Sequence, residues 1–79
     1  MRVIKEVSYP EFKVTVFYWN NRYLIKLEQG LLEQTYKINQ FDVTGEEEAL
    51  ALLDAAFIEE ASLRFREMSR SLHDSLARR

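Results

Sequence analysis

His73 is the only imidazole in the chain, and it stands beside Asp74 among Ser69, Ser71 and Ser75. Those are the residue types of a base-assisted serine nucleophile, in which histidine takes the hydroxyl proton and a carboxylate orients the histidine. Their spacing does not assemble one. Sequence neighbours on a helix diverge by about 100°, so His73 and Asp74 aim at different surroundings. No serine lies in a G-x-S-x-G or S-x-x-K context. His73 therefore reads as a surface residue near a helix C-terminus. The absence of cysteine excludes thiol nucleophiles, thiolate zinc sites and disulfides.

The run Glu46-Glu47-Glu48 has the composition of a cation site. Consecutive helical carboxylates point about 100° apart and cannot converge on one ion. In a first helical turn they instead offset the positive end of the helix. Glu59-Glu60 reads as solvated helix surface, and the isolated Gly30 and Gly45 make no phosphate-cradling loop. These residues predict no catalytic site, no metal and no cofactor, and hence no enzyme.

One surface has the composition to bind something. In the strand register derived below, Lys13, Arg22, Lys26 and Lys37 share a sheet face with Phe17, Trp19, Leu24, Thr15 and Thr35. Aromatics among cations can stack bases and follow a phosphate backbone. The same residues also have structural uses. Lys13–Glu28 and Lys26–Glu33 are expected as cross-strand pairs, and Trp19 as a cover for Arg22. Phe17, Trp19 and Leu24 equally suit a patch covered by a second subunit.

The elements that position these residues follow from periodicity. Residues 12–19 and 22–28 are rich in β-branched and aromatic side chains, and Asn20-Asn21 between them tolerates the positive φ of a two-residue hairpin turn. That loop pairs Tyr18 with Tyr23, Val16 with Ile25 and Val14 with Leu27 on one face. Trp19 with Arg22, Phe17 with Leu24, Thr15 with Lys26 and Lys13 with Glu28 fall on the other. Gln29-Gly30 marks a second turn into a strand over 31–38. Leu32, Tyr36 and Ile38 there join the apolar face, and so does Gln34, which fits it poorly. Residues 3–8 form a further strand if they pair, ahead of a bend at Tyr9-Pro10. Ser8-x-x-Glu11 has capping-box spacing, but strand pattern follows it at once.

Thr44-x-x-Glu47 is a stronger capping box. No proline or glycine follows before Arg79, so a helix is expected over about 45–77. At about 50 Å it is twice as long as the strands beneath it. Up to Leu63 its apolar positions cover more than half its circumference, wide enough for a sheet with another surface closing over it. Beyond Leu63 only Phe65, Met68, Leu72 and Leu76 remain. Leu50/Ala61/Leu72 and Phe57/Met68 recur eleven apart, a spacing that suits straight, crossing helices better than a seven-residue zipper. The alternative is a break near Ser69-Arg70-Ser71, with Ser71-x-x-Asp74 capping a separate last segment.

The fold class expected is α+β: one domain over 1–79, an antiparallel meander of three or four strands, then a long C-terminal helix on one sheet face. The order of elements, doubled into a dimer, resembles the Whirly and PUR families of single-strand-binding domains. No motif of those families stands in this sequence, so none of their binding positions carries over. Self-association is expected through Phe57, Ala61, Phe65, Met68, Leu72 and Leu76, most simply as a homodimer. Charge is uneven: residues 42–60 hold seven acids and no base, and 61–79 five arginines against two acids, within a net charge of −2. That distribution follows the helix dipole and counts against a strong footprint for nucleic acid. The sequence has no secretory signal and no apolar run long enough for a bilayer, so a cytoplasmic location is expected. The reading is a non-catalytic, self-associating interaction or regulatory module. Single-stranded nucleic-acid binding through the open sheet face is the alternative.

Overall fold

The computed structural model describes residues 1–79 and is α+β. Four strands, β1 (Arg2–Ser8), β2 (Lys13–Trp19), β3 (Arg22–Gln29) and β4 (Leu32–Asn39), form one antiparallel sheet in sequence order. A 3₁₀ turn, Gln40–Asp42, leads to a short helix α1 (Glu46–Ala51) and a long helix α2 (Ala55–Arg78).

The turns act as their residues dictate. Asn20 and Asn21 both have positive φ, 52° and 62°, as a type I′ hairpin requires. Gly30, at φ 56°, takes the first central position of the β3–β4 turn, the place where a II′ turn needs glycine. The β2–β3 ladder runs from Lys13↔Glu28 to Trp19↔Arg22 in the register expected from the loop length. The N-terminal residues do pair: β1 lies against β2, with a bulge between Val3 and Lys5 that lets Ile4 reach the core. A bulged, lysine-bearing edge also discourages further strand pairing.

One sheet face carries the core. Phe12, Val14, Val16, Ile25 and Leu27 meet Ala61 and Phe65 of α2, all buried. The Phe12 and Phe65 rings pack at a 44° tilt with centroids 5.4 Å apart. Gln34, the misfit of the apolar pattern, is buried here because α2 supplies its partners. Its amide donates to the Ala61 carbonyl at 2.9 Å and its oxygen accepts from Arg64 Nε at 3.0 Å and Tyr36 OH at 3.3 Å. A buried amide whose nitrogen and oxygen both find partners costs little to keep, whereas an unpaired one would be expensive.

The helical region differs from the continuous helix expected over 45–77. The chain leaves helix at Leu52–Asp54, and Asp54 starts α2 by accepting the Phe57 N–H at 2.8 Å. The Thr44 capping box does not form. Gly45 is the N-cap of α1, and the Thr44 hydroxyl donates to the Glu48 carboxylate at 2.8 Å. The reason is length: a straight helix of that span would carry its first turns off a sheet about 25 Å long. The break folds α1 back instead, burying Ala49 and packing Leu50 and Leu53 against the core. Downstream α2 is continuous through Ser69-Arg70-Ser71, so the alternative break there does not occur.

Candidate functional site

Two surfaces correspond to the candidate residues, and tertiary packing divides each of them. Along α2, Ala61 and Phe65 are fully covered by their own sheet, and Phe57 and Met68 pack at its margin. Ala61 and Phe65 belong to the chain's own core, which corrects the expectation that they face a partner; Phe57 and Met68 are only partly covered by it. The sheet ends near Met68, and every residue from Ser69 onward is exposed. Only Leu72 and Leu76 of the stripe are left uncovered, at 48% and 53% exposure. A groove of about 640 Å³ lies at this corner, lined by Leu32, Arg64, Glu67, Met68, Ser71 and Leu72.

The second surface is the open sheet face. Val3 pairs with Phe17 and Phe17 with Leu24, making an apolar band across three strands. Beside it a depression of about 210 Å³ is lined by Met1, Phe17, Leu24, Lys26, Glu33 and Thr35. Thr15, in the centre, is buried. Its cations separate into two kinds. Lys13 Nζ lies 3.0 Å from Glu6 and Lys26 Nζ lies 3.7 Å from Glu33. The hydrogen bond to Glu6, and then its charge, raise the Lys13 pKa above the ordinary lysine value; Glu28, the partner expected, adds only a weaker charge contribution. Arg22 and Lys37 have no carboxylate within 4.0 Å. Trp19 is 51% exposed, and the expected cover of Arg22 is not among the cation–ring contacts. The cations that do lie over rings are Arg2 on Tyr18 and Arg64 on Tyr36 and Phe57.

Sequence reasoning missed one further cluster. Glu11, after the Pro10 bend, accepts a hydrogen bond from the Ser62 hydroxyl and lies 3.7 Å from Arg66. Gln29 Nε2 donates to the Glu11 carbonyl at 3.0 Å, tying this loop to β3. These contacts pin the β1–β2 connection beneath α2 at the edge of a groove of about 530 Å³ that Tyr9, Leu53, Ile58 and Leu63 also line. No periodicity links residues 11 and 62, so the pattern held no signal for them. Gln34 did carry one, as a polar residue on an apolar face.

His73 is exposed on the α2 overhang, and no three His, Asp or Glu side chains converge as metal ligands would. No helix is long and apolar enough to cross a membrane. No family model, curated protein or solved structure matches this chain, so its surfaces stand alone as a guide to its role.

Proposed function

We propose that this chain is a non-catalytic interaction or regulatory module of the cytoplasm that works as a homodimer built on the α2 overhang. One observation carries the reading. The apolar stripe of α2 continues past the end of its sheet, and Leu72 and Leu76 remain half exposed on a helix with nothing beneath it. Covering what is exposed of the two leucines is worth about 1 kcal/mol each. That is too little for a permanent complex alone, and it suits a reversible, concentration-dependent one. Light scattering at high micromolar concentration should give twice the 9.4 kDa chain mass. Changing both Leu72 and Leu76 to Glu should return the chain to monomer with its circular dichroism unchanged, because neither residue belongs to the core. A wild-type chain that stays monomeric sinks the proposal.

A second reading rests on Arg22 and Lys37, the open-face cations left without acid partners near half-exposed Trp19. That end of the sheet offers an aromatic platform with free positive charge, which suits single-stranded nucleic acid. Trp19 is the chain's lone tryptophan, so its fluorescence reports directly. Oligonucleotides at low salt should quench it, with Arg22→Ala and Lys37→Ala each weakening the effect. An unchanged signal removes this reading.

A further inference from the structure

Resting on the homodimer reading, we infer its geometry: two copies cross antiparallel through their overhangs, with Leu72 of each on the two-fold axis and Leu76 across from the partner's Met68. The occupant of the overhang's apolar side is thus the same segment of a second copy.

Residue types around Leu72 are nearly symmetric along the helix. Met68 and Leu76 lie about 40° to either side of it and Ser69 and Ser75 about 60°, so an apolar centre is flanked by small side chains; the match ends two turns out, where Phe65 and the terminal Arg79 lie about 20° to either side. Arg70 and Asp74 fall about 160° away and Arg66 and Arg78 about 120° away, clear of the contact. A surface that matches its own reverse is what an isologous two-fold contact needs. Of the other strongly exposed apolar residues, Met1, Val3 and Trp19 belong to the open sheet face, and Leu31, Phe41, Leu52 and Leu63 are scattered over loops and α2; none continues a helical stripe.

The direction is set by the sheet. From Phe57 to Met68 the stripe side of α2 is already filled by the chain's own strands. In a parallel pair both sheets would fall at the same level between the two helices and hold them apart. Antiparallel crossing sends the sheets to opposite ends. The overhang from Met68 to Arg79 is about 16 Å long. Overlapping two of them about Leu72 brings the partner's last turn to the end of the first sheet, where Leu32 borders the groove with Leu72 and Leu31 is fully exposed. The resulting interface is small, nearer the weak class than the roughly 800 Å² per partner of stable complexes.

The absence of cysteine makes the test clean. Leu72→Cys should couple to itself under mild oxidation, because residues on the axis of close-packed helices approach within disulfide reach. Leu63→Cys is the background control: its side chain is equally exposed, at 49%, and lies about 180° around the helix. Pairing raises the local thiol concentration from the roughly 100 µM at which the chain associates to roughly millimolar, so Leu72→Cys should couple about tenfold faster than Leu63→Cys. Met68→Cys and Leu76→Cys should couple when the two variants are mixed and not when either is alone. If the wild-type chain is a dimer but Leu72→Cys couples no faster than Leu63→Cys, the crossing geometry is wrong while self-association stands. Rapid self-coupling of Leu76→Cys would overturn the position of the axis. A wild-type monomer overturns geometry and homodimer together.

Discussion

Replacing Asp54 by alanine separates a capped break from a continuous helix by the sign of its effect. Asp54 Oδ1 accepts the Phe57 N–H at 2.8 Å, and the Asp54 carbonyl takes the Ile58 N–H at 3.1 Å. Alanine keeps the second bond and loses the first, leaving a first-turn donor to water. Loss of an N-cap of this kind costs about 1 kcal/mol, within a range of about 0.5–2. In an unbroken helix over 45–77 the same residue would be interior, and aspartate is a poorer helix former than alanine by up to about 0.7 kcal/mol. Asp54→Ala would then stabilise. Urea unfolding resolves the two: with a slope near 1 kcal/mol/M for a chain this small, the midpoint should fall by about 1 M. The melting temperature should drop by about 4–8 °C. Asp54→Asn, which keeps an acceptor at the cap, should stay within about 0.5 kcal/mol of wild type. All variants need comparison at one protein concentration, because self-association would couple to stability. An Asp54→Ala protein more stable than wild type would refute the break at Leu52–Asp54 and restore a single helix.

Three further outcomes are expected. Phe65→Ala should cost about 3–5 kcal/mol, most of a small domain's stability, and by the same amount in the Leu72→Glu, Leu76→Glu background, since Phe65 is filled in by its own sheet; a loss seen only in the associating protein would contradict this. Gly30→Ala should lower stability by about 1–2 kcal/mol in urea unfolding through the positive φ alone, because the space around Gly30 is open. Lys13 has a folded pKa above its unfolded one, so its ion pair with Glu6 favours the folded state fully below pH about 10.4 and loses that effect as pH rises through the folded value. Glu6→Gln should return the Lys13 titration, followed by NMR, to the ordinary lysine range; an unchanged titration would show that Glu28 or another acid holds it.

Much of the sheet was legible because its causes are local. Two asparagines in a two-residue loop dictate the β2–β3 register, and alternation then assigns every side chain of both strands to a face. Gly30 does the same for β4, down to placing Gln34 on the buried side. The long helix was legible in kind, from the lack of proline and glycine after Gly45 and from an apolar stripe of helical period. Its interruption was not. Asp54 offers an acceptor to a first turn, and whether a helix restarts there depends on whether Ala49 and Leu50 can fold back onto a sheet of finite length.

The candidate surfaces show the same division. Composition alone selected the stripe and the basic, aromatic sheet face. Which stripe residues are spent on the chain's own core, and which cations are already matched, depended on where elements remote in sequence come to lie. Phe65 meets Phe12 from across the chain, and Lys13 turns to Glu6 on β1 in place of Glu28 on β3. Ser62 and Glu11, 51 residues apart, share a hydrogen bond that no periodicity encodes. The sequence by itself determined β2 to β4, their turns and register and an amphipathic helix, because each follows from a residue and its near neighbours, whereas the pairing of β1 was left open. The tertiary structure alone decided where that helix breaks and that only Leu72 and Leu76 reach past the sheet, because burial depends on the finite length of the surface a helix meets.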